Sequence, residues 1–303
     1  MLGFALSGCA EKAVTQPNQT AAGGWIQTAG PARGTVAAVL VTATGMFAGT
    51  WGGGIFRSTD DGASWRDVNA GLGSWDVRAL AISGPALLAA TAGGVYRSLD
   101  SGESWTVANG GLTQPDVRAL AVIGSDTFAG TYGGGVFRSP DQGATWVQTG
   151  PVIESIQALV ASGSTLLAGT SADGVFRSSD GGGRWIEANA GLTQRDVRAL
   201  AAGASSLFAG TSGGGVCRSD DGGLTWHDIS FGLTHLDVRA LAVADTSLFA
   251  GTVDGGVFQF VAGTSRWIPC SGGLTIPDVR ALAPGGPGLF AGTWGRGVWR
   301  SGI

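Results

Sequence analysis

The chain has 303 residues, of which 44% are hydrophobic and 13% charged, so it can bury a sizeable core and is not a disordered polyelectrolyte. Its formal charge of −4 gives no electrostatic reason to expect a nucleic-acid partner, and no run approaches the roughly 18 apolar residues of a membrane-spanning helix. Cys9, Cys217 and Cys270 show neither a CxxC pair nor zinc spacing, so no metal or cofactor is expected. Cys217 stands where sister segments carry Phe or Tyr and reads as a small buried apolar residue.

In chain order, the first element is the short apolar run MLGFALSGCA. Its Leu6-Ser7-Gly8-Cys9 end resembles the lipobox of bacterial lipoproteins. That resemblance implies cleavage before Cys9 and lipidation of it, although the run is short and lacks a basic start. The alternative is a tail with a chance cysteine. Ala10 to Gly24 is small and polar and reads as a flexible tether. Residues 1–24 are therefore expected to be signal and tether, and 25–303 the folded domain.

From there a period of about 40 residues runs to the end in seven copies. DVRALA recurs at Asp76, Asp116, Asp196, Asp237 and Asp278; FAGT or a near copy follows each, then GGVFRS or a variant. Each copy holds four extended segments of about five residues; in the fifth they are VRALAA, SLFAGT, GVCRS and WIEAN. Glycine-rich turns separate them, and no stretch has helical periodicity. The pattern predicts an all-β, seven-bladed propeller with four antiparallel strands per blade. The main rival is a β-solenoid. The chain opens on a lone fourth strand, WIQTAG, and stops after a third, GVWRSGI. This overlap predicts that the N-terminal strand completes the last blade and hides its edge.

Between the third and fourth segments lies Ser-x-Asp-x-Gly-x-x-Trp. It is complete five times: Ser58/Asp60/Gly62/Trp65, Ser98/Asp100/Gly102/Trp105, Ser139/Asp141/Gly143/Trp146, Ser178/Asp180/Gly182/Trp185 and Ser219/Asp221/Gly223/Trp226. The sixth copy keeps only Trp267, and the seventh is split between Ser301 and Trp25. The motif resembles the Asp box, or BNR repeat, of sialidases, xyloglucan-cleaving glycosidases, sortilin-type receptors and Ycf48-like photosystem-assembly factors. In those families it is structural and lies away from the active face. The residues agree with that role: the carboxylate can accept backbone N–H groups of its own turn, Gly supplies a conformation other residues resist, and Trp covers apolar area between blades. Calcium binding is a weak alternative, because each turn offers too few oxygens.

Catalysis finds little support in the residue pattern. Sialidases pair a Tyr nucleophile with Glu. Here Tyr96 fills a scaffold Phe position, and Tyr132 has no Glu nearby in sequence. The xyloglucan-cleaving relatives set two acids in a cleft between two propellers. The variable Asp173 and Asp254 fall in different blades, whereas glycoside hydrolysis needs carboxyls about 5–10 Å apart.

Binding is the better expectation. Arg78, Arg118, Arg198, Arg239 and Arg280 begin the innermost strands, with Ala37 and Gln157 in their place in blades one and four. They could ring the channel mouth and take a carboxylate or phosphate, or pair with the Asp of DVR and fasten blades together. Trp51, Trp75 and Trp294 lie outside the repeat template, and Tyr132 shares the turn position of Trp51. If the ring closes, Trp51 and Trp294 become neighbours, beside a dip at the small Ala92 and a basic rim of Arg78, Arg280 and Arg296. That sector is the expected ligand site. The expected whole is an exported monomer that binds a protein or glycan on the face opposite the Asp boxes. It touches a membrane only through its anchor and leaves nucleic acid alone. A glycosidase and a Ycf48-like assembly factor are the alternatives.

Overall fold

The structure is a computed structural model that describes residues 24–150, 155–286, 288–295 and 297–302. Cys9, the tether before Gly24 and Arg296 lie outside the described residues. The chain forms seven sheets of four antiparallel strands arranged as the blades of a propeller. Blade one is representative, with strands Thr35–Thr42, Gly45–Trp51, Gly54–Ser58 and Arg66–Asp67 in spatial order. The second and third strands of each blade are almost wholly buried, because both sheet faces press on neighbouring blades. This explains why FAGT and GVF read as continuous apolar runs rather than alternating ones.

The outer strands differ from expectation. They are two residues long in blades one to five and in blade seven, because the chain leaves the sheet for the next blade's turn. WIEAN also belongs one blade earlier than its grouping with the fifth repeat suggests. Ile186–Glu187 pairs with Val175–Ser178 of blade four, and blade five ends on His227–Asp228.

The last blade is composite. Ile26–Gln27 pairs antiparallel with Val298–Arg300, through Ile26 against Arg300 and Gln27 against Trp299. Trp25 is 4% exposed. Its indole donates to the Cys270 carbonyl at 2.7 Å and its backbone N–H to the Gly272 carbonyl at 2.7 Å, both in blade six. The same contact recurs round the ring. The indoles of Trp105, Trp146, Trp226 and Trp267 donate to Val68, Ala108, Ala188 and Ile229 of the preceding blade, at 2.8–2.9 Å. Trp65 reaches the Thr28 hydroxyl at 3.2 Å, while Trp185 turns onto Gly182 of its own turn.

The turn before each Trp is a hydrogen-bonded knot. In blade three the Ser139 hydroxyl donates to Asp141 at 2.7 Å and accepts the Gly143 N–H at 2.7 Å. Asp141 in turn accepts the Thr145 N–H at 2.9 Å and the Thr145 hydroxyl at 2.7 Å. Both carboxylate oxygens are thus engaged inside the turn, which leaves little for a cation. Gly143 sits at φ 82°, and a Cβ there would meet Leu88 of blade two at 2.7 Å, so the position demands glycine twice over. In blade six the motif is lost, and a short 3-10 turn, Ala262–Thr264, stands instead. Its outer strand, Arg266–Pro269, is correspondingly longer. A Cβ added at Gly263 would meet nothing within 4 Å, and a cavity of about 240 Å3 opens there beside Phe208 and Phe260.

These donors hold the turn carboxylates ionised. Hydrogen bonds from the Ser104 side chain, the Ser104 N–H and Ser98 bring Asp100 from the ordinary 3.8 down to about 2. At Asp141 burial pushes upward, but the Ser139 and Thr145 bonds outweigh it and hold it at about 2. Asp60, Asp180 and Asp221 shift the same way, chiefly through bonds from Ser64, Arg184 and Thr225 respectively.

Two outcomes are expected. A chain starting at Gly24 keeps the melting temperature of the full chain. One starting at Gly30 loses Trp25 and the closing strand, and with them about 3–5 kcal/mol; equal melting temperatures for the two would contradict ring closure. The depressed carboxylates contribute stability that is complete above their unfolded pKa near 3.8 and disappears as the pH falls through about 2. Denaturant midpoints should therefore drop between pH 4 and pH 2. Asp141→Ala, an exposed carboxylate screened by solvent, should cost about 1 kcal/mol at pH 7 and narrow that drop.

Candidate functional site

The first strand of every blade starts with an irregularity. In blade two Val77 pairs with Thr91 and Ala79 with Ala90, so Arg78 is skipped. The same β-bulge falls at Ala37, Arg118, Gln157, Arg198, Arg239 and Arg280 in the other six blades. A bulge residue has no partner in the ladder and its side chain is re-aimed. Seven bulges at one level therefore send seven side chains into the mouth of the central channel. Those seven and Trp51 line a cavity of about 240 Å3.

The arginines are braced from behind. Arg280 makes a two-pronged pair with Asp278, Nε at 2.6 Å and Nη2 at 2.7 Å. Arg239 and Arg198 donate through Nη2 to Asp237 and Asp196 at 2.8 and 2.7 Å. Arg118 reaches Asp116 at 3.3 Å. Each of these four pairs with the Asp of its own DVR motif rather than fastening neighbouring blades. Among the described residues Arg78 alone crosses, with Nη1 2.7 Å from Asp116 of blade three, while its Nη2 stays 3.6 Å from its own Asp76. No aspartate is among the cavity's lining residues, so the carboxylates orient the guanidinium groups while the guanidinium groups face the opening.

Ring closure brings the two end blades together. The Trp51 and Trp294 rings stand 5.7 Å apart, edge to face at 86°, a favoured aromatic geometry. The Arg280 guanidinium lies 4.7 Å from the Trp294 ring centre and 6.0 Å from that of Trp51. Trp51 and Trp294 are nevertheless 37% and 50% exposed, so apolar surface remains free. Trp75 joins the sector through its backbone: its carbonyl accepts the N–H groups of Gly52 and Gly54 at 3.1 and 3.0 Å. Its ring is 46% exposed and carries the Arg33 guanidinium at 5.7 Å.

The cavity does not lie in the dip expected at Ala92. It lies over the channel, and of the three tryptophans only Trp51 lines it; Trp294 stands beside it against Arg280, whereas the Trp75 ring faces Arg33, which also holds Asp67 of the outer strand. Tyr132, across two blades, stacks under Arg118 at 4.5 Å. Arg33 was not among the expected residues. It holds the place of Ser74, Gln114, Gln194 and His235 in sister blades, and it bridges Phe56, Trp75 and Asp67. Elsewhere, Glu103 is tied to Arg57 at 2.9 Å and to Arg66 beside a turn. Tyr96 is buried. Cys217 and Cys270 are buried as well, and burial raises both thiols, Cys270 to about 12.

No family model matches the chain, and no curated protein matches it. Solved structures of similar shape do. The extracellular domain of BT4673 from B. thetaiotaomicron superposes with a TM-score of 0.76 at 16% identity. That alignment takes in 92% of this chain, which spans only 39% of the longer one. Ycf48 bound to a D1 peptide gives 0.72 at 16% identity, over 92% of this chain and 96% of that one. The GH74 enzyme of Niastella koreensis gives 0.64 at 16% identity, over 88% and 43%. At such identities the likeness is one of fold. The chain is a seven-bladed β-propeller of a form found in extracellular domains, in Ycf48 and in GH74 enzymes.

Proposed function

We propose that the chain is a non-catalytic binding propeller of the Asp-box kind, and that it recognises a protein partner or a glycan on the channel-mouth face. One observation carries the reading: side chains from all seven blades converge with Trp51 on a cavity that, among the described residues, is lined by guanidinium groups and no carboxylate. Such a lining holds and orients a ligand but supplies no acid–base pair for glycoside hydrolysis. The Ser-x-Asp-x-Gly-x-x-Trp turns are the scaffold on the far face. Arg78, Arg118, Arg198, Arg239 and Arg280 form the polar wall, and Trp51, Trp75 and Trp294 form the apolar rim. Tyr132 extends it, and Arg296, two positions from Trp294 in sequence, is assigned to the same site on that sequence neighbourhood alone.

Residues 1–24 serve as signal and tether, with Cys9 lipidated and the domain 25–303 exported to a bacterial envelope. The extracellular neighbours support that placement. A role like that of the Ycf48-like assembly factors is a form of the protein-partner reading, and a match along 96% of the peptide-bound Ycf48 supports it more than one along 43% of the GH74 enzyme supports a glycosidase.

A glycan array run beside a pull-down from native membranes identifies the ligand. Trp51→Ala and Trp294→Ala should each weaken its binding by about 1–3 kcal/mol, the range of a hot-spot aromatic, at unchanged melting temperature. Trp226→Ala should lower stability instead. Undiminished affinity in both rim variants would contradict the assignment.

A further inference from the structure

Resting on that reading, the chemistry of the lining specifies what enters the channel. A guanidinium is a donor with no acceptor. Among the described residues, Nη1 of Arg118, Arg198, Arg239 and Arg280 makes no hydrogen bond, since the aspartates accept from Nη2 and, in Arg280, from Nε. The remaining lining residues add few acceptors. Ala37 has an inert side chain, Trp51 offers an indole, and Gln157 spends its amide N–H on Ser155 at 2.6 Å, leaving one amide oxygen. A ligand rich in N–H groups would find almost nothing to accept them. A ligand of acceptor oxygens would find several charged donors already oriented.

The seven positions are also unevenly charged. In ring order Arg78 and Arg118 form one arc, Gln157 interrupts, Arg198, Arg239 and Arg280 form a second arc, and Ala37 with Trp51 interrupts again. Two cationic arcs are thus divided by an amide on one side and an indole wall on the other. A single acid group engages one arc. A small ligand with several acid oxygens engages both, and a cavity of about 240 Å3 has room for it.

We propose that the channel mouth is a binding site for a small, multiply charged oxyanion of the polycarboxylate or phosphate class, either free or as the acid end of a larger ligand. The bracing aspartates keep the guanidinium groups in place without entering the cavity, so the site is pre-organised; because each guanidinium is already paired with a carboxylate, its anion affinity comes from the charge-assisted hydrogen bonds of the remaining N–H groups.

The test uses the whole folded chain, isothermal calorimetry and citrate, inorganic phosphate, acetate and a trigalacturonide as probes at low ionic strength. Citrate and phosphate should bind one per chain, acetate at least about tenfold more weakly, and added salt should loosen all of them. A trigalacturonide tighter than citrate assigns the anion to a larger ligand; the reverse assigns it to a free small molecule. Arg239→Gln should weaken citrate about tenfold. Gln157→Arg, which joins the two arcs, should strengthen it, and this gain cannot come from damage to the fold. Absence of binding by every anion, or citrate affinity unmoved by both variants, overturns the proposal. If the anions fail while Trp51→Ala still weakens an array-identified ligand, only the anion assignment falls and the wider face reading stands.

Discussion

Everything in the molecule depends on the indole of one blade reaching the backbone of the blade before it. The Trp N–H satisfies a carbonyl at the outer margin, where short strands leave the ladder early, and its rings fill the wedge between sheets. Trp25 performs this act from the opposite end of the chain, on Cys270. The ring is thereby shut, and blade seven is set against blade one. The candidate site is a consequence of that closure, because Trp51 and Trp294 are 243 positions apart in the chain yet 5.7 Å apart in space. The exceptions are informative. Trp185 bonds its own turn, and blade six has lost the Ser and Asp of the turn while keeping Trp267. The indole contact persists where the turn decays, so the two devices are separable.

A second constraint, the bulge at the head of each inner strand, converts a repeat into a site. Identical bulges give identical aim, so whatever residue stands there faces the channel. Five copies place arginine there, and two do not. The scaffold fixes the geometry and leaves the chemistry to substitution among siblings. The opposite face shows the complementary case: its turns are nearly invariant through five blades, and each carboxylate is spent on its own turn.

Much of this was legible in the residues. Seven periods, the box and the overlapping ends determine the propeller and its closure, because each is a local pattern repeated often enough to compare. The convergence of Trp51 and Trp294 followed from closure alone. The bulge was not legible, since Val-Arg-Ala reads the same with or without a skipped residue. The partners of the arginines were open for the same reason: an Asp two positions back can brace its own Arg or a neighbour's, and among the described residues only Arg78 takes the neighbour's. Arg33 stands where its siblings carry Ser74, Gln114, Gln194 and His235, a position whose variation marked no chemistry. The outer strands are shorter than their apolar residues suggest: Ile26, Val107, Val147 and Ile186 each hold a ladder partner yet lie exposed on the outer edge, where no neighbouring blade covers them.

The central claim is that the channel-mouth face, not the turn face, is where this propeller meets its ligand. Photocrosslinking tests it even while that ligand is unidentified. A benzophenone amino acid is placed at position 75 on the mouth face or at position 99 within a turn, where Leu99 is exposed, and each protein is irradiated with the native envelope fraction. The expected result is a discrete adduct from position 75, lost when Trp51 is also replaced by Ala, and none from position 99. A discrete adduct from position 99 alone would contradict the claim.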